Sequence, residues 1–225
     1  MNEMHLNSRW PWIRHRFIFL LAMIFLLLVV TPFIEGFVRL RFVFNAFLSA
    51  VLVSAVYALS QKIRNLAIAA LLAIPMLISI WAQYFVRSDA MFLIGRICGA
   101  FFIAFTIFHI LRNIFQEQEI TKDTIAGAAA VYLLFALMWS FLYGILNLVE
   151  PNSFAISTSQ TLGERNIFLY YSFVTITTLG YGDVTPVTYI ASSLAVLEAV
   201  IGQLYLVVLV AWLVGMYVSK KSKSP

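Results

Sequence analysis

The residues with the clearest chemical pattern lie late in the chain, in the run Thr175-Ile176-Thr177-Thr178-Leu179-Gly180-Tyr181-Gly182-Asp183. Two glycines flank a tyrosine, and glycine reaches dihedrals closed to other residues. Alternating glycine with leucine and tyrosine lets successive carbonyls point to one side of the strand, which makes a column of oxygens. The stretch leading into it, Asn166 to Thr178, is apolar and aromatic. It falls well short of the roughly 20 residues that a membrane-crossing helix needs and has the length of a re-entrant half-helix. Non-helical backbone at membrane depth is tolerated only where protein buries it or where it lines a watery cavity. The segment therefore lines something.

Other chemistry has little to build on. The single cysteine, Cys98, sits in an apolar run, so no disulfide forms within the chain and no cysteine metal site is available. His5, His15 and His109 are scattered without ligand spacing, and no Asp, His and Ser or Cys constellation adjoins a substrate loop. The expectation is a protein that is not an enzyme and has no cofactor. The net charge of +5 does not point to nucleic acid, because the basic residues lie beside apolar segments, where they meet anionic headgroups.

Positioning such a loop is the work of membrane spans. The chain is 62% hydrophobic and 11% charged, against about 25% charged in soluble domains. Six apolar runs of spanning length are expected, at Ile13–Thr31, Phe42–Ser60, Leu66–Val86 with a bend at Pro75, Met91–Leu111, Ile125–Leu148 and Tyr189–Val218. The first resembles a secretory signal, with Arg14 and Arg16 ahead of it, but Thr31-Pro32-Phe33-Ile34-Glu35 offers no small-residue cleavage site. It is expected to be retained. Placing the N-terminus inside puts Arg9, Arg14, Arg16, Lys62, Arg64, Arg112, Lys122, Lys220, Lys221 and Lys223 in the cytoplasm, with only Arg39, Arg41, Arg87 and Arg165 outside. That asymmetry favours two cytoplasmic termini.

The pattern Thr175-x-x-Thr178-x-Gly180-Tyr181-Gly182-Asp183, between two spans and after a half-length helix, resembles the potassium-channel signature, with Leu179 where that signature has valine. The resemblance to the pore-domain family of bacterial ion channels covers about Ile125 to Val218. It implies that Thr178, Leu179, Gly180, Tyr181 and Gly182 form a selectivity filter. Carbonyl rings from four subunits there replace the hydration shell of potassium, held at Thr178, Leu179, Gly180 and Tyr181. It also implies that Tyr170 and Tyr171 pack around the filter as a cuff, that Asp183 shapes its outer mouth, that Pro186 begins the return to the inner helix, and that Gly202 is a gating hinge. Thr175 belongs to the filter's support. One filter per chain requires a tetramer, and cyclic symmetry is the usual solution for identical subunits.

Several residues stay open at this level. Glu198 falls about nine residues into the last span, or roughly 13 Å at about 1.5 Å per residue, where an acid is costly and by default functional. It either lines the cavity or sits behind the filter, bonded to the pore helix or a neighbouring subunit; the resemblance favours the second. Arg96 has no companions at every third position, since Gly99, Phe102, Phe105 and Phe108 follow it. A snorkelling arginine is expected rather than a voltage sensor. Gly95 and Gly99 permit close helix packing. His109 is either a cytoplasmic pH sensor or an interfacial side chain, and Arg112–Thr124 either an amphipathic surface helix or a solvated connector. The tail after Val218 is expected to hold no regulatory domain.

The expected fold is an all-α membrane protein with six transmembrane helices, a re-entrant pore helix and a selectivity-filter loop. Its parts are a cytoplasmic N-terminus (1–12), a peripheral four-helix bundle (13–111), a linker (112–124), a pore domain (125–218) and a basic tail (219–225). The expected function is passive potassium conduction in a bacterial inner membrane by a homotetramer of this chain with three identical subunits, in contact with lipid. The rivals are a poorly selective cation channel, against which Tyr181 argues, an accessory subunit silent alone, and a transporter, which would show inverted repeats.

Overall fold

The computed structural model describes residues 15–34, 40–59, 63–82, 85, 88–117, 120–157 and 164–222. Its helices are α1 (Arg16–Ile34), α2 (Leu40–Ala58), α3 (Ile63–Ala82), α4 (Asp89–Gln116), α5 (Lys122–Val149), α6 (Glu164–Ile176) and α7 (Tyr189–Ser222). Two short strands, β1 (Phe154–Ile156) and β2 (Val184–Pro186), pair antiparallel. Among the described residues, α3, α4, α5 and α7 each hold a stretch long and apolar enough to cross a membrane. Shorter apolar stretches occupy Arg16–Val29, Phe42–Ala58 and Ile167–Ile176. The chain is an integral membrane protein.

Helices α2, α3 and α4 run antiparallel in turn. The Asn45 amide near the start of α2 donates to the Ile80 carbonyl near the end of α3, and Ser79 of α3 donates to the Met91 carbonyl at the start of α4. Asp123 in the first turn of α5 accepts from the backbone N–H groups of Phe17 and Ile18, both at 3.1 Å, and so caps the start of α1. Those N–H groups have no partner within their own helix. Phe115, near the end of α4, packs edge-on against Trp212 of α7. One end of the bundle thus gathers the starts of α1 and α5 with the end of α4 and the inner part of α7. The apolar core runs between α1–α4 and the inner face of α5. Over the spans, 56% of α5 is buried against 11% of α7, so α5 is the central post and α7 the open side.

Several expected boundaries need correction. The linker 112–124 shrinks to residues 117–121, because α4 continues to Gln116 and α5 begins at Lys122. Arg112 and Gln116 interrupt the hydropathy but not the helix, whose buried stripe Ile103, Ile107, Ile110 and Ile114 passes straight through them. Thr121 is the N-cap of α5, in a reciprocal capping box with Thr124, and the Thr124 hydroxyl also donates to Glu117. Helix α4 therefore ends beyond 111, and α5 starts before 125. Helix α7 carries on to Ser222, into the segment 219–225 expected as a basic tail. α3 passes through Pro75 as one helix. The all-α expectation acquires the β1–β2 ladder, which ties the segment after α6 to the loop after α5. The cytoplasmic N-terminus 1–12, and Arg9, Arg14, Arg39, Lys62, Arg87 and Lys223 from the orientation argument, lie outside the described residues.

Candidate functional site

The site begins where α6 ends. After Ile176 the chain turns at Thr177 and Thr178, and its next amides fold back on the helix. Thr178 N–H donates to the Thr175 carbonyl at 2.9 Å, and Leu179 and Gly180 N–H both donate to the Val174 carbonyl, at 2.9 and 3.3 Å. Carbonyls that a helix end leaves unpaired are thereby satisfied. From here the backbone alternates in hand. Thr178, Gly180 and Gly182 have φ of 58°, 58° and 76°, while Leu179 and Tyr181 do not enter the positive region. In a pleated strand successive carbonyls point to opposite sides; alternating hand turns them the same way. A Cβ on Gly180 or Gly182 would meet nothing within 4 Å, so both glycines are required by dihedral and not by space. Thr178 is β-branched and has no such licence. Its left-handed backbone costs on the order of 1–3 kcal/mol. The stretch is open within one chain, with Leu179 55% and Tyr181 65% exposed.

The flanks of this stretch are anchored. The Tyr170 hydroxyl donates to Asp183 Oδ2 at 2.6 Å, while Asp183 Oδ1 accepts from the Val184 amide at 3.0 Å. The Asp183 carbonyl accepts from Ser157 N–H at 2.8 Å. Register in the ladder pairs Phe154 with Pro186 and Ile156 with Val184. Tyr171 goes elsewhere: buried, it packs its ring 5.0 Å from Tyr143 and 5.3 Å from Phe154, and its hydroxyl pairs with Thr175. Within one chain the two tyrosines therefore separate, Tyr170 to the exposed loop and Tyr171 to an aromatic cluster behind it.

Glu198 is completely buried on α7. It accepts from the Tyr143 hydroxyl of α5 at 2.5 Å and from the Ser172 hydroxyl of α6. Ser172 also lies 2.7 Å from the Ala136 carbonyl. Of the two placements open to Glu198, the geometry has the one behind the loop and against α6. Gly202, one turn further along α7, meets the end of α6: a Cβ there would come 2.5 Å from Ile176 Cγ1 and 3.1 Å from the Ile176 carbonyl. That carbonyl accepts from the Tyr132 hydroxyl at 3.0 Å, and Tyr205 donates to the Ala128 carbonyl at 2.7 Å. Helix α7 is unbroken through Gly202. The sequence reading missed Tyr143, Ser172, Tyr132 and Tyr205. Hydroxyl groups inside apolar helices, each needing a partner in hydrocarbon, were the available signal.

The peripheral glycines do permit close approach. A Cβ on Gly95 would overlap Ser79 of α3, and one on Gly99 would sit 2.9 Å from Met76 Sδ. Arg96 does not rely on snorkelling, because its guanidinium donates to the Gly144 carbonyl of α5 at 2.6 Å. His109 is half-buried, with its Nδ1 3.1 Å from the Phe105 carbonyl and its ring against Phe105 and Phe108. No group of His, Cys, Asp and Glu among the described residues could hold a metal ion.

No curated protein matches the chain, and no solved structure does. The model of a family described as ion channel matches residues 123–219. These residues run from the cap of α1 on Asp123, through α5, α6, the alternating loop and Glu198, to the last turn of α7, so it is the part of the chain built around that loop that is similar to ion channels.

Proposed function

We propose that this chain is one subunit of a homotetrameric channel that conducts potassium ions passively across the membrane. The observation that carries the reading is the alternating hand of Thr178–Gly182, which aims backbone oxygens to one side of a stretch left open by its own chain. Dehydrated potassium ions would be held at Thr178, Leu179, Gly180 and Tyr181 and pass between successive oxygen cages. The end of α6 adds the partial negative charge of a helix C-terminus at the start of that path. Four chains around an axis would supply the cages, and α7, barely covered within one chain, has the apolar surface for three neighbours and for lipid. In this reading both termini lie in the cytoplasm, beneath a bacterial inner membrane that α1–α5 and α7 all span. Tyr170, Tyr171, Thr175, Asp183 and Glu198 support the filter, and Gly202 is the point at which α7 would bend.

The test is reconstitution of the purified chain in planar bilayers under a potassium gradient opposed by sodium. The expected reversal lies near the potassium equilibrium potential and is lost in Tyr181→Asp. A reversal that ignores the potassium gradient would sink the selective reading, and silence from folded protein would favour an accessory subunit.

A further inference from the structure

An arginine inside an apolar helix needs a reason, and Arg96 has a structural one. Its guanidinium lies on Gly144 of α5, so closely that a Cβ there would come 2.8 Å from both Cζ and Nε. Gly144 is a seat made by the absence of a side chain, and its carbonyl takes the 2.6 Å bond from Arg96 Nη1. The next residue back, Tyr143, is fully buried and holds Glu198 of α7, and Glu198 is bonded to Ser172 of α6, six residues before Thr178. On the other side, Gly95 is seated on Ser79 of α3. A cavity of about 60 Å³ adjoins Arg96, lined by Ser79 and Ser140 and by Phe168 and Leu169 of α6. Most of its lining is apolar, but that volume is enough to admit water beside the guanidinium.

We infer that Arg96 is the positioning residue through which the peripheral helices α1–α4 set the state of the filter, by way of Gly144, Tyr143, Glu198 and Ser172. The inference rests on the channel reading above. It places the action of the bundle at the filter and not at the inner end of α7. A shift of α4 that draws Arg96 from its seat frees α5 at the level where Tyr143 leaves the helix. The bond that holds α6 in place then loses its fixed support. Coupling of this kind is established by energetics and not by adjacency, so the test is a double-mutant cycle.

Open probability is measured in planar bilayers for the wild type, Arg96→Leu, Gly144→Ala and the double variant, each first shown to elute as the wild type does. Gly144→Ala keeps the arginine but denies it the seat. Each single change is expected to shift open probability by about tenfold or more, the scale of one hydrogen bond to a charged group. The double variant should match the singles, because all three lose the same contact. Raising external potassium should reverse the shift, since an ion seated in the oxygen cage opposes its collapse; a change at an inner constriction would not respond. Additive effects, unchanged open probability, or a shift indifferent to external potassium would each overturn the inference. Should Arg96→Leu not fold, Arg96→Lys takes its place: it keeps the charge but lacks the planar fork that lies on Gly144. A wild type that conducts no potassium would be a failure of the channel reading, which the wild-type recording separates from these outcomes.

Discussion

Replacing Glu198 by leucine removes the acceptor of a fully buried tyrosine. Tyr143 is 0% exposed and its hydroxyl has Glu198 as its hydrogen-bond partner at 2.5 Å, whereas Ser172 keeps the Ala136 carbonyl at 2.7 Å. One orphaned hydroxyl therefore decides the cost, about 1–3 kcal/mol per chain. For a domain of this size that is a fall in Tm of roughly 2–12 °C. The diagnostic step is the second substitution. Adding Tyr143→Phe removes the orphan while keeping the ring that packs against Tyr171 at 5.0 Å and Phe154 at 5.5 Å. Thermal unfolding of purified protein in detergent should show Glu198→Leu destabilised and the double variant largely restored, since replacing both partners of a buried bond by apolar groups is nearly neutral. A single variant as stable as the wild type, or a double variant no better than the single, would refute the account of Glu198 as the tie between α5, α6 and α7.

Two further outcomes follow from the packing. Gly202→Ala should gain about 1 kcal/mol of helix propensity but lose about 1–3 kcal/mol to overpacking against Ile176, so a net loss of stability with reduced single-channel conductance is expected; an unchanged channel would show that the end of α6 gives way freely. Asp123→Ala should uncap α1 at Phe17 and Ile18 and cost about 0.5–2 kcal/mol, read as a lower Tm, with ion selectivity unaltered because the cap holds α1 and not the loop after α6; altered selectivity would contradict that separation.

Much of the framework is readable along the chain. Apolar runs locate helices because hydrocarbon tolerates little else, and α7 begins at Tyr189, as read from hydropathy. The helix ends beside α4 and α5 were misplaced for a related reason: hydropathy records where lipid would end, while Ile110 and Ile114 keep α4 helical under polar neighbours. The β1–β2 ladder was not legible, since three-residue strands carry no periodicity and pair residues far apart in sequence, Phe154 with Pro186.

At the candidate site the division is sharper. Gly180 and Gly182 announce their part of the alternating backbone locally, because glycine's freedom at φ is a property of one residue and needs no partner, whereas Thr178 is left-handed without that freedom. The position of Glu198 was not local. From sequence an acid in an apolar helix is only an expense, with two places open to it, and the choice between them depended on which hydroxyl groups three separate helices brought within reach. Tyr143 and Ser172 lie 55 and 26 residues away in sequence. The same holds for Arg96, whose acceptor is a backbone carbonyl that carries no side-chain signature at all. Backbone conformation at Gly180 and Gly182 was written in the residue types themselves, while the left-handed turn at Thr178 and the pairing of buried polar groups behind the loop were decided by tertiary packing, because a hydrogen bond is satisfied by distance in space and not by order along the chain.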